Sequence, residues 1–238
     1  MNLILLEPED FITPDRVRLT GRRLTHVLSV HQAQVGERLR VGLLDGLLGD
    51  ACVTVINTQE LLLSVCLHQP PPPKEPVILL LALPRPKMLR RILQMITTLG
   101  VGELVLLNSY RVEKSYWQTP WLSPEAIREQ LLLGLEQARD TVLPTVTLAK
   151  RFKPFVEDQL PGLLAGRQGL LAHPVGGVPC PASLSGPLVL AIGPEGGFIP
   201  YEVEQLQRAG LMAVDLGQRI LRVETAVAVA LGRLAVIK

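Results

Sequence analysis

The sequence predicts a two-part chain, with a small β-barrel or sandwich followed by an α/β domain that has a mainly parallel sheet. Residues 69–76 contain four consecutive prolines, which favour polyproline II and cannot join a helix or a central strand. Short β-rich runs precede this segment, whereas apolar runs alternate with amphipathic segments after it. We therefore expect domains at 1–72 and 73–238, joined by a semi-rigid linker.

The first part is predicted to be rich in strands, because turn residues repeatedly interrupt its apolar runs. The predicted strands are 38–45, 50–58 and 61–68. A short helix is expected at 25–32. Three or more short strands in a segment of this length are typical of a small barrel or sandwich.

The second part is predicted to alternate strands with helices. The predicted strands are 77–83, 103–108, 145–149, 169–172, 188–192 and 212–216. The predicted helices are 87–99, 123–139, 155–164, 201–209 and 224–237. Ser123 and Pro124 form a good helix start, with serine as the N-cap and proline at the first helical position. This alternation favours a parallel sheet covered on both faces, with its ligand site beyond the carboxyl ends of the strands.

The composition excludes several classes of protein. The 24 Lys and Arg nearly balance the 22 Asp and Glu, which excludes a strongly basic nucleic-acid binder but permits a local basic patch. Three scattered cysteines cannot form a disulfide framework, and no zinc, HExxH, Ser/His/Asp or Cys/His pattern occurs, so no metal is expected. No signal peptide or transmembrane run is evident, so we expect a cytoplasmic location without membrane contact.

The first candidate motif is Ile-Gly-Pro-Glu-Gly-Gly-Phe at 192–198, between a predicted strand and a predicted helix. Its glycines permit close approach of the backbone to a ligand. It contains neither GxGxxG nor a Walker sequence. We interpret it as a ligand-binding loop, and the alternative is a tight strand–helix turn.

The second candidate motif, at 216–226, also lies between a strand and a helix. Arg219, Arg222 and Glu224 alternate with apolar residues, so the charged side chains would line a cleft while the apolar ones pack inward. The alternative is a solvated loop in which Glu224 stabilises the first turn of the last helix. His173-Pro174 ends another predicted strand, and a single histidine there would by itself be weak support for catalysis.

Together these motifs resemble the 16S ribosomal RNA uridine-N3 methyltransferases, a family of the SPOUT superfamily of knotted S-adenosylmethionine-dependent enzymes. The resemblance is strong at 187–231 and loose elsewhere, where it rests on Leu99-Gly100-Val101, Glu136-Gln137, Pro144 and His173-Pro174. It implies an N-terminal PUA-like β-barrel that binds RNA, then an α/β-knot (SPOUT) domain with a mainly parallel sheet, acting as a homodimer. The implied partner is 16S rRNA or the small ribosomal subunit.

The resemblance also implies that three strand-end loops bind S-adenosylmethionine. The implied cofactor-binding residues are Leu171, His173, Pro174, Ile192, Gly193, Glu195, Gly196, Gly197, Leu216, Gly217, Ile220 and Leu221. Uracil N3 must lose its proton on methylation, so Arg219 or Arg222 would stabilise the developing oxygen charge. Glu224 or Glu195 would accept the proton or orient an arginine. We hypothesise that Arg222 and Glu224 lie nearest the target base; the alternative is that Glu224 only caps the last helix and that Glu195 only holds its own loop in place.

Clustered basic residues in both parts predict an RNA-binding groove between the domains. The candidates are Arg16, Arg18, Arg22, Arg23, Arg85, Lys87, Arg90 and Arg111. The alternative for this cluster is a solvated helix face.

Several residues depart from the family pattern where RNA contacts are expected. Thr97 and Thr98 stand where the family has an acid, Asp140 stands in place of an arginine, and Ser29 and Gln32 replace frequent arginines. These departures leave open a related enzyme that methylates another rRNA or tRNA nucleotide, and a non-catalytic RNA-binding dimer. A weaker rival is a small-molecule enzyme.

Overall fold

A computed structural model of the protein describes residues 2–174 and 176–234. The chain divides into two compact units, one formed by Met1–Pro73 with Leu131–Leu143 and the other by Lys74–Gln130 with Pro144–Lys238. The predicted fold class is confirmed: a curled half-barrel sheet occurs in the first unit and an all-parallel sheet in the second.

The first unit contains a six-stranded mixed sheet. Its strands are β1 (Ile4–Leu6), β2 (Phe11–Thr13), β3 (Arg16–Leu19), β4 (Arg38–Leu43), β5 (Leu48–Ile56) and β6 (Leu61–Gln69). Their order is β1-β4-β5-β6-β3-β2, and only the β1–β4 pair is parallel. Strands β1 to β3 were not predicted, because they have only three or four residues each.

Helix α1 (Gly21–His26) continues as a π-helical turn over Val27–His31, so the helix predicted at 25–32 begins four residues earlier than expected. Strand β1 is buried on both faces. Ile4 and Leu6 pack into the core of the sheet, whereas Leu3 and Leu5 pack against Leu135. This second contact explains why residues 131–143 belong to the first unit, although the predicted division at 72 and 73 placed them in the second domain.

The second unit contains a seven-stranded parallel sheet. Its strands are β7 (Glu75–Ala82), β8 (Val101–Leu107), β9 (Thr145–Ala149), β10 (Gln168–Ala172), β11 (Val178–Pro179), β12 (Leu188–Ile192) and β13 (Met212–Asp215). Their order is β11-β13-β10-β12-β7-β8-β9. All five residues of β12 are buried, as expected for a central strand covered on both faces. The short β11 was not predicted.

The other helices follow the predictions closely. They are α2 (Pro86–Thr98), α3 (Pro124–Ala138), α4 (Phe152–Pro154), α5 (Leu160–Leu164), α6 (Pro200–Arg208) and α7 (Val223–Arg233). The helix predicted at 155–164 is instead α4, a π-helical segment at Phe155–Gln159, and α5. Residues 235–237 of the predicted last helix lie outside the described residues.

We expect Leu135→Ala to destabilise the first unit. Leu135 is fully buried against Leu3, Leu5 and Leu48, so its truncation leaves a cavity in an apolar cluster. The expected loss in the free energy of unfolding is about 2–5 kcal/mol, measured by urea denaturation. Gln137→Ala, at an exposed position of the same helix, is the matched control. Equal midpoints for the two variants would contradict this packing.

Candidate active site

A cleft opens at the carboxyl ends of β10, β12 and β13, beside the first turns of α7. It has a volume of about 810 Å³ when the solvent at its mouth is included. The parallel register aligns Ala172, Ile192 and Val214 across the three strands, so the loops that follow them meet at one edge of the sheet. This edge is where ligands bind in parallel α/β sheets.

The loop after β12 forms the glycine-rich wall of the cleft. Gly197 closes a turn by donating its N–H to the Pro194 carbonyl over 2.7 Å, with φ of +73°. A Cβ on Gly193 would lie 3.0 Å from the Phe198 nitrogen and 3.1 Å from its ring. Phe198 itself is buried. The loop thus folds back on itself, and its three glycines present backbone to the cleft beside the Glu195 side chain.

The loop after β13 forms the opposite wall. The Asp215 carboxylate accepts a hydrogen bond of 2.9 Å from the Gly217 N–H, and Gly217 adopts a φ of +127°. Beyond this turn, Arg219 and Leu221 line the cleft. Ile220 also lines it but is 85% exposed, which places an apolar side chain at its rim.

The loop after β10 completes the cleft with His173 and Pro174. The His173 N–H donates to the Val214 carbonyl over 3.0 Å, which extends the β10–β13 ladder by one residue. Leu171 is fully buried in the sheet and does not line the cleft, because alternate residues of a strand face opposite sides. All the other sequence-predicted cofactor residues line it.

Two arginines from neighbouring strand ends contact the glycine-rich loop. The Glu195 Oε1 accepts the Arg85 N–H over 3.2 Å and lies 3.9 Å from the Arg85 Nε. Arg111 donates a hydrogen bond from Nη1 to the Gly196 carbonyl. A Cβ on Gly196 would lie 2.9 Å from the Arg111 Cδ, so this contact depends on glycine. Arg111, predicted to bind RNA, thus has a partner within the protein.

Glu202 in α6 is buried and was not among the site residues predicted from the sequence. Its Oε2 accepts hydrogen bonds of 3.0 Å from the Ser109 hydroxyl and from the Ile199 N–H, and its Oε1 accepts one of 2.7 Å from the Tyr110 N–H. Glu202 therefore joins the loop after β8 to the start of α6. The available signal was an acidic residue in the first turn of a helix that begins with Pro200.

The model of a family described as an RNA methyltransferase domain matches residues 70–235, which is most of the chain. The chain belongs to the RNA methyltransferase family. The predicted enzyme class is thereby confirmed.

Curated relatives of this RNA methyltransferase point the same way. This chain is 30% identical over 238 residues to the ribosomal RNA small subunit methyltransferase E of Treponema pallidum, and the match covers 95% of this chain and 87% of that protein. It is 28% identical over 218 residues to the protein of the same name from Mycobacterium tuberculosis, covering 89% and 83%.

A solved structure shares the fold of this RNA methyltransferase. It is a ribosomal RNA small subunit methyltransferase E from Neisseria gonorrhoeae bound to S-adenosyl methionine, with a TM-score of 0.71 and 24% identity. The match covers 97% of this chain and 95% of that one. This likeness concerns the fold.

The three catalytic candidates of the RNA methyltransferase occupy different places. Arg219 lines the cleft. Arg222 is exposed at the N-cap of α7, and Glu224 is half-buried in its first turn; neither lines the cleft. In the part of the chain that the structure describes, Arg219 is therefore the one catalytic candidate of the three that lines the cleft.

Basic residues of the first unit differ in their partners. Arg23 donates two hydrogen bonds, of 2.5 and 2.6 Å, to the Asp10 carboxylate. Arg22 donates two, of 3.0 and 2.6 Å, to the buried Glu136. Arg16 and Arg18 are exposed on β3. RNA contact by all four arginines stays a prediction.

In the second unit, the Arg90 guanidinium carbon lies 4.1 Å from the ring centroid of Trp121, a cation–π geometry. Lys87 and Arg85 are exposed near the start of α2. RNA contact by these residues likewise stays a prediction.

Residues that depart from the family pattern have local structural contacts. Asp140 is buried, and its Oδ1 accepts the N–H groups of Thr141 and Val142 over 2.6 and 3.0 Å, which fixes the turn after α3. The Thr97 hydroxyl donates to the Leu93 carbonyl over 2.8 Å inside α2. These contacts explain how a carboxylate and a hydroxyl are accommodated at those positions.

Residues 2–174 and 176–234 contain no cluster of His, Cys, Asp and Glu that would hold a metal ion. The cysteines are free, and burial raises the pKa of the Cys180 thiol. Within the same described ranges, no helix is both long enough and apolar enough to cross a membrane.

Proposed function

We propose that the protein methylates N3 of a uridine in 16S rRNA, using S-adenosylmethionine as the methyl donor. The observation that carries this proposal is the glycine-walled cleft at three strand ends in a member of the RNA methyltransferase family. Relatives named as small-subunit ribosomal RNA methyltransferases support the choice of RNA.

The residues of the cleft suit S-adenosylmethionine. Ile192, Leu216 and Leu221 provide apolar walls for an adenine ring, and the glycines at 193, 196 and 197 let the backbone approach without an intervening side chain. The carboxylates of Glu195 and Asp215 favour a ligand that carries a positive sulfonium. The Neisseria gonorrhoeae protein of the same fold binds this cofactor.

The bound cofactor would supply an electrophilic methyl carbon: uracil N3 forms a bond to it as the carbon–sulfur bond breaks, and a neutral thioether remains. The N3 proton must leave, and negative charge develops on the uracil oxygens. Arg219, at the cleft wall, would stabilise that charge. Glu195 would accept the proton, because its Oε1 is held by Arg85 while its Oε2 has no hydrogen bond to the described residues.

We also propose a role for Arg222 and Glu224, although they lie outside the cleft lining. They flank the cleft at the start of α7 without lining it, so in a homodimer they would contact substrate or complete the site of a second copy. We propose the homodimer on the basis of the family resemblance. Because a ribosomal RNA substrate is found in the cytoplasm, we also propose that location.

The direct experiment is methyl transfer from labelled S-adenosylmethionine to small ribosomal subunits that lack the modification, followed by nucleoside analysis. A 3-methyluridine product is the expected result. Another methylated nucleoside would overturn the proposed target atom and favour a related RNA methyltransferase. No transfer by folded protein to intact subunits would favour a non-catalytic RNA-binding protein.

We expect Arg219→Ala to lower kcat about 100-fold while the Kd for S-adenosylmethionine changes little, because the arginine acts on charge that develops during the reaction. Rapid-quench kinetics and calorimetry measure the two quantities separately. Arg208→Ala, which removes an exposed arginine paired with Glu204 on α6, is the control. A wild-type kcat in Arg219→Ala would show that Arg219 does not stabilise the developing charge on uracil. Arg222→Ala, measured in the same series, tests whether Arg222 does so instead.

A further inference from the structure

Tyr110 is the most exposed aromatic side chain among the described residues. Its relative exposure is 80%, whereas that of Tyr201 is 46%. Its hydroxyl has no hydrogen bond to any residue that the structure describes. Tyrosine is enriched at binding surfaces, because its ring offers a large apolar face with a polar end.

The backbone beneath this ring is held on both sides. The Tyr110 N–H donates to the Glu202 Oε1 over 2.7 Å, and the preceding Ser109 hydroxyl donates to Oε2 of the same buried carboxylate. The following residue, Arg111, is hydrogen-bonded to the Gly196 carbonyl. Tyr110 is therefore an exposed ring on an anchored backbone, one residue away from a contact with the cleft.

Two further hydrogen bonds join residues within the loop after β8. The Trp117 Nε1 donates to the Asn108 Oδ1 over 2.8 Å, and the Val112 N–H donates to the Ser109 carbonyl over 3.0 Å. A tyrosine on such a support loses little conformational entropy on binding, because only two side-chain torsions are ordered. The position is therefore suited to a ligand with a flat face.

The proposed reaction requires such a ligand. N3 lies on the Watson–Crick edge of uracil, so the base must be unpaired and withdrawn from its stack before it is methylated. An unstacked base recovers part of the lost energy on an aromatic side chain. Among the described residues that line the cleft, Phe198 is the only Phe, Tyr or Trp, and it is buried.

We propose that Tyr110 is a substrate-binding residue whose ring stacks on the uracil that is methylated. This inference rests on the proposed N3 methylation of uridine. It assigns the selection of an unstacked base to the loop after β8, while the loops after β10, β12 and β13 form the cofactor cleft.

Kinetics of Tyr110 variants test the stacking. Tyr110→Phe and Tyr110→Trp keep a ring, so we expect kcat/KM for the RNA within about threefold of wild type. Tyr110→Ala removes the ring, and we expect a loss of about 10-fold to 100-fold in kcat/KM, with an unchanged Kd for S-adenosylmethionine. Tyr201→Ala, at an exposed tyrosine outside the cleft lining, is the matched control.

Wild-type kcat/KM for Tyr110→Ala would overturn the inference, and so would an equal loss in Tyr110→Phe, because a phenylalanine ring still stacks. If Tyr110→Ala weakened cofactor binding as strongly as catalysis, the residue would be a support for the loop and the inference would also fail. In each case methyl transfer by the wild-type enzyme shows whether the proposed function itself holds.

Photochemical cross-linking tests the contact without requiring methyl transfer. A single-stranded RNA with 5-iodouridine at its centre is irradiated with the wild-type protein, and the modified peptide is identified by mass spectrometry. We expect Tyr110 as the main cross-linked residue and loss of that product in Tyr110→Ala. Cross-links only elsewhere would overturn the inference.

Nitration by tetranitromethane tests whether a second copy of the chain covers Tyr110. We expect Tyr110 to react in the RNA-free protein and to be protected by RNA. Protection before RNA is added would assign the ring to a protein–protein contact and overturn the inference.

Discussion

Replacing Gly193 with valine is expected to weaken binding of S-adenosylmethionine at least about 100-fold. Even a Cβ at this position would lie 3.0 Å from the Phe198 nitrogen and 3.3 Å from the Gly197 Cα, and the two γ-methyls of valine add further bulk. The segment at Gly197 and Phe198 would have to move away from residue 193, and the backbone of the loop would no longer line the cleft as it does now. We expect at least a 100-fold increase in Kd by calorimetry, equivalent to about 2.7 kcal/mol, with loss of methyl transfer.

The control for this variant is Gly162→Ala. A Cβ on Gly162, in α5, would meet no atom within 4 Å, and the residue has no positive φ, so only a small stabilisation is expected. Circular dichroism should show the native fold for both variants. Wild-type affinity in folded Gly193→Val would mean that the cofactor binds outside this cleft.

Replacing Glu202 with alanine is expected to give the largest loss of stability in the second unit. The change leaves three donors without their acceptor: the Ser109 hydroxyl and the N–H groups of Tyr110 and Ile199. Because each unsatisfied buried donor costs about 1–3 kcal/mol, we expect a loss of about 3 kcal/mol or more in the free energy of unfolding. Differential scanning calorimetry should show a decrease of about 6–12 °C in Tm.

Two comparisons make the Glu202 prediction specific. Glu202→Gln keeps one acceptor oxygen and nearly the same volume, so its Tm should lie between those of the wild type and Glu202→Ala. Glu204→Ala removes an exposed carboxylate from the same helix, where its pair with Arg208 contributes less than about 1 kcal/mol. If Glu202→Ala and Glu204→Ala had the same Tm, the buried network would be energetically unimportant.

The cleft could be located from the sequence because its determinants are local. Glycines and proline at 193–197 follow an apolar strand, and Gly217 follows another, so both turns were recognisable without knowledge of the fold. The parallel sheet then brings the strand ends together. Leu171 lies in the sheet and not in the cleft lining, because the direction in which a strand residue faces depends on the pleat; its contact with the cofactor stays a prediction.

Contacts between distant segments were not predictable in this way. Arg111 was grouped with RNA-binding residues for its charge, yet its hydrogen-bond acceptor is a carbonyl 85 residues later in the chain. Glu202 bonds residues 92 and 93 positions before it. Neither pairing has a periodic or compositional signature, so both depend on the completed sheet.

The sharing of helix α3 between the two units restricts how this protein can be divided. A fragment covering 1–73 would lack Leu135 and so would expose Leu3, Leu5 and Leu48, while a fragment covering 74–238 would carry Leu135 and Glu136 without their partners. Cutting at the proline run would thus produce two aggregation-prone pieces. Genetic exchange of the N-terminal unit between relatives would succeed only if residues 131–143 were transferred with it.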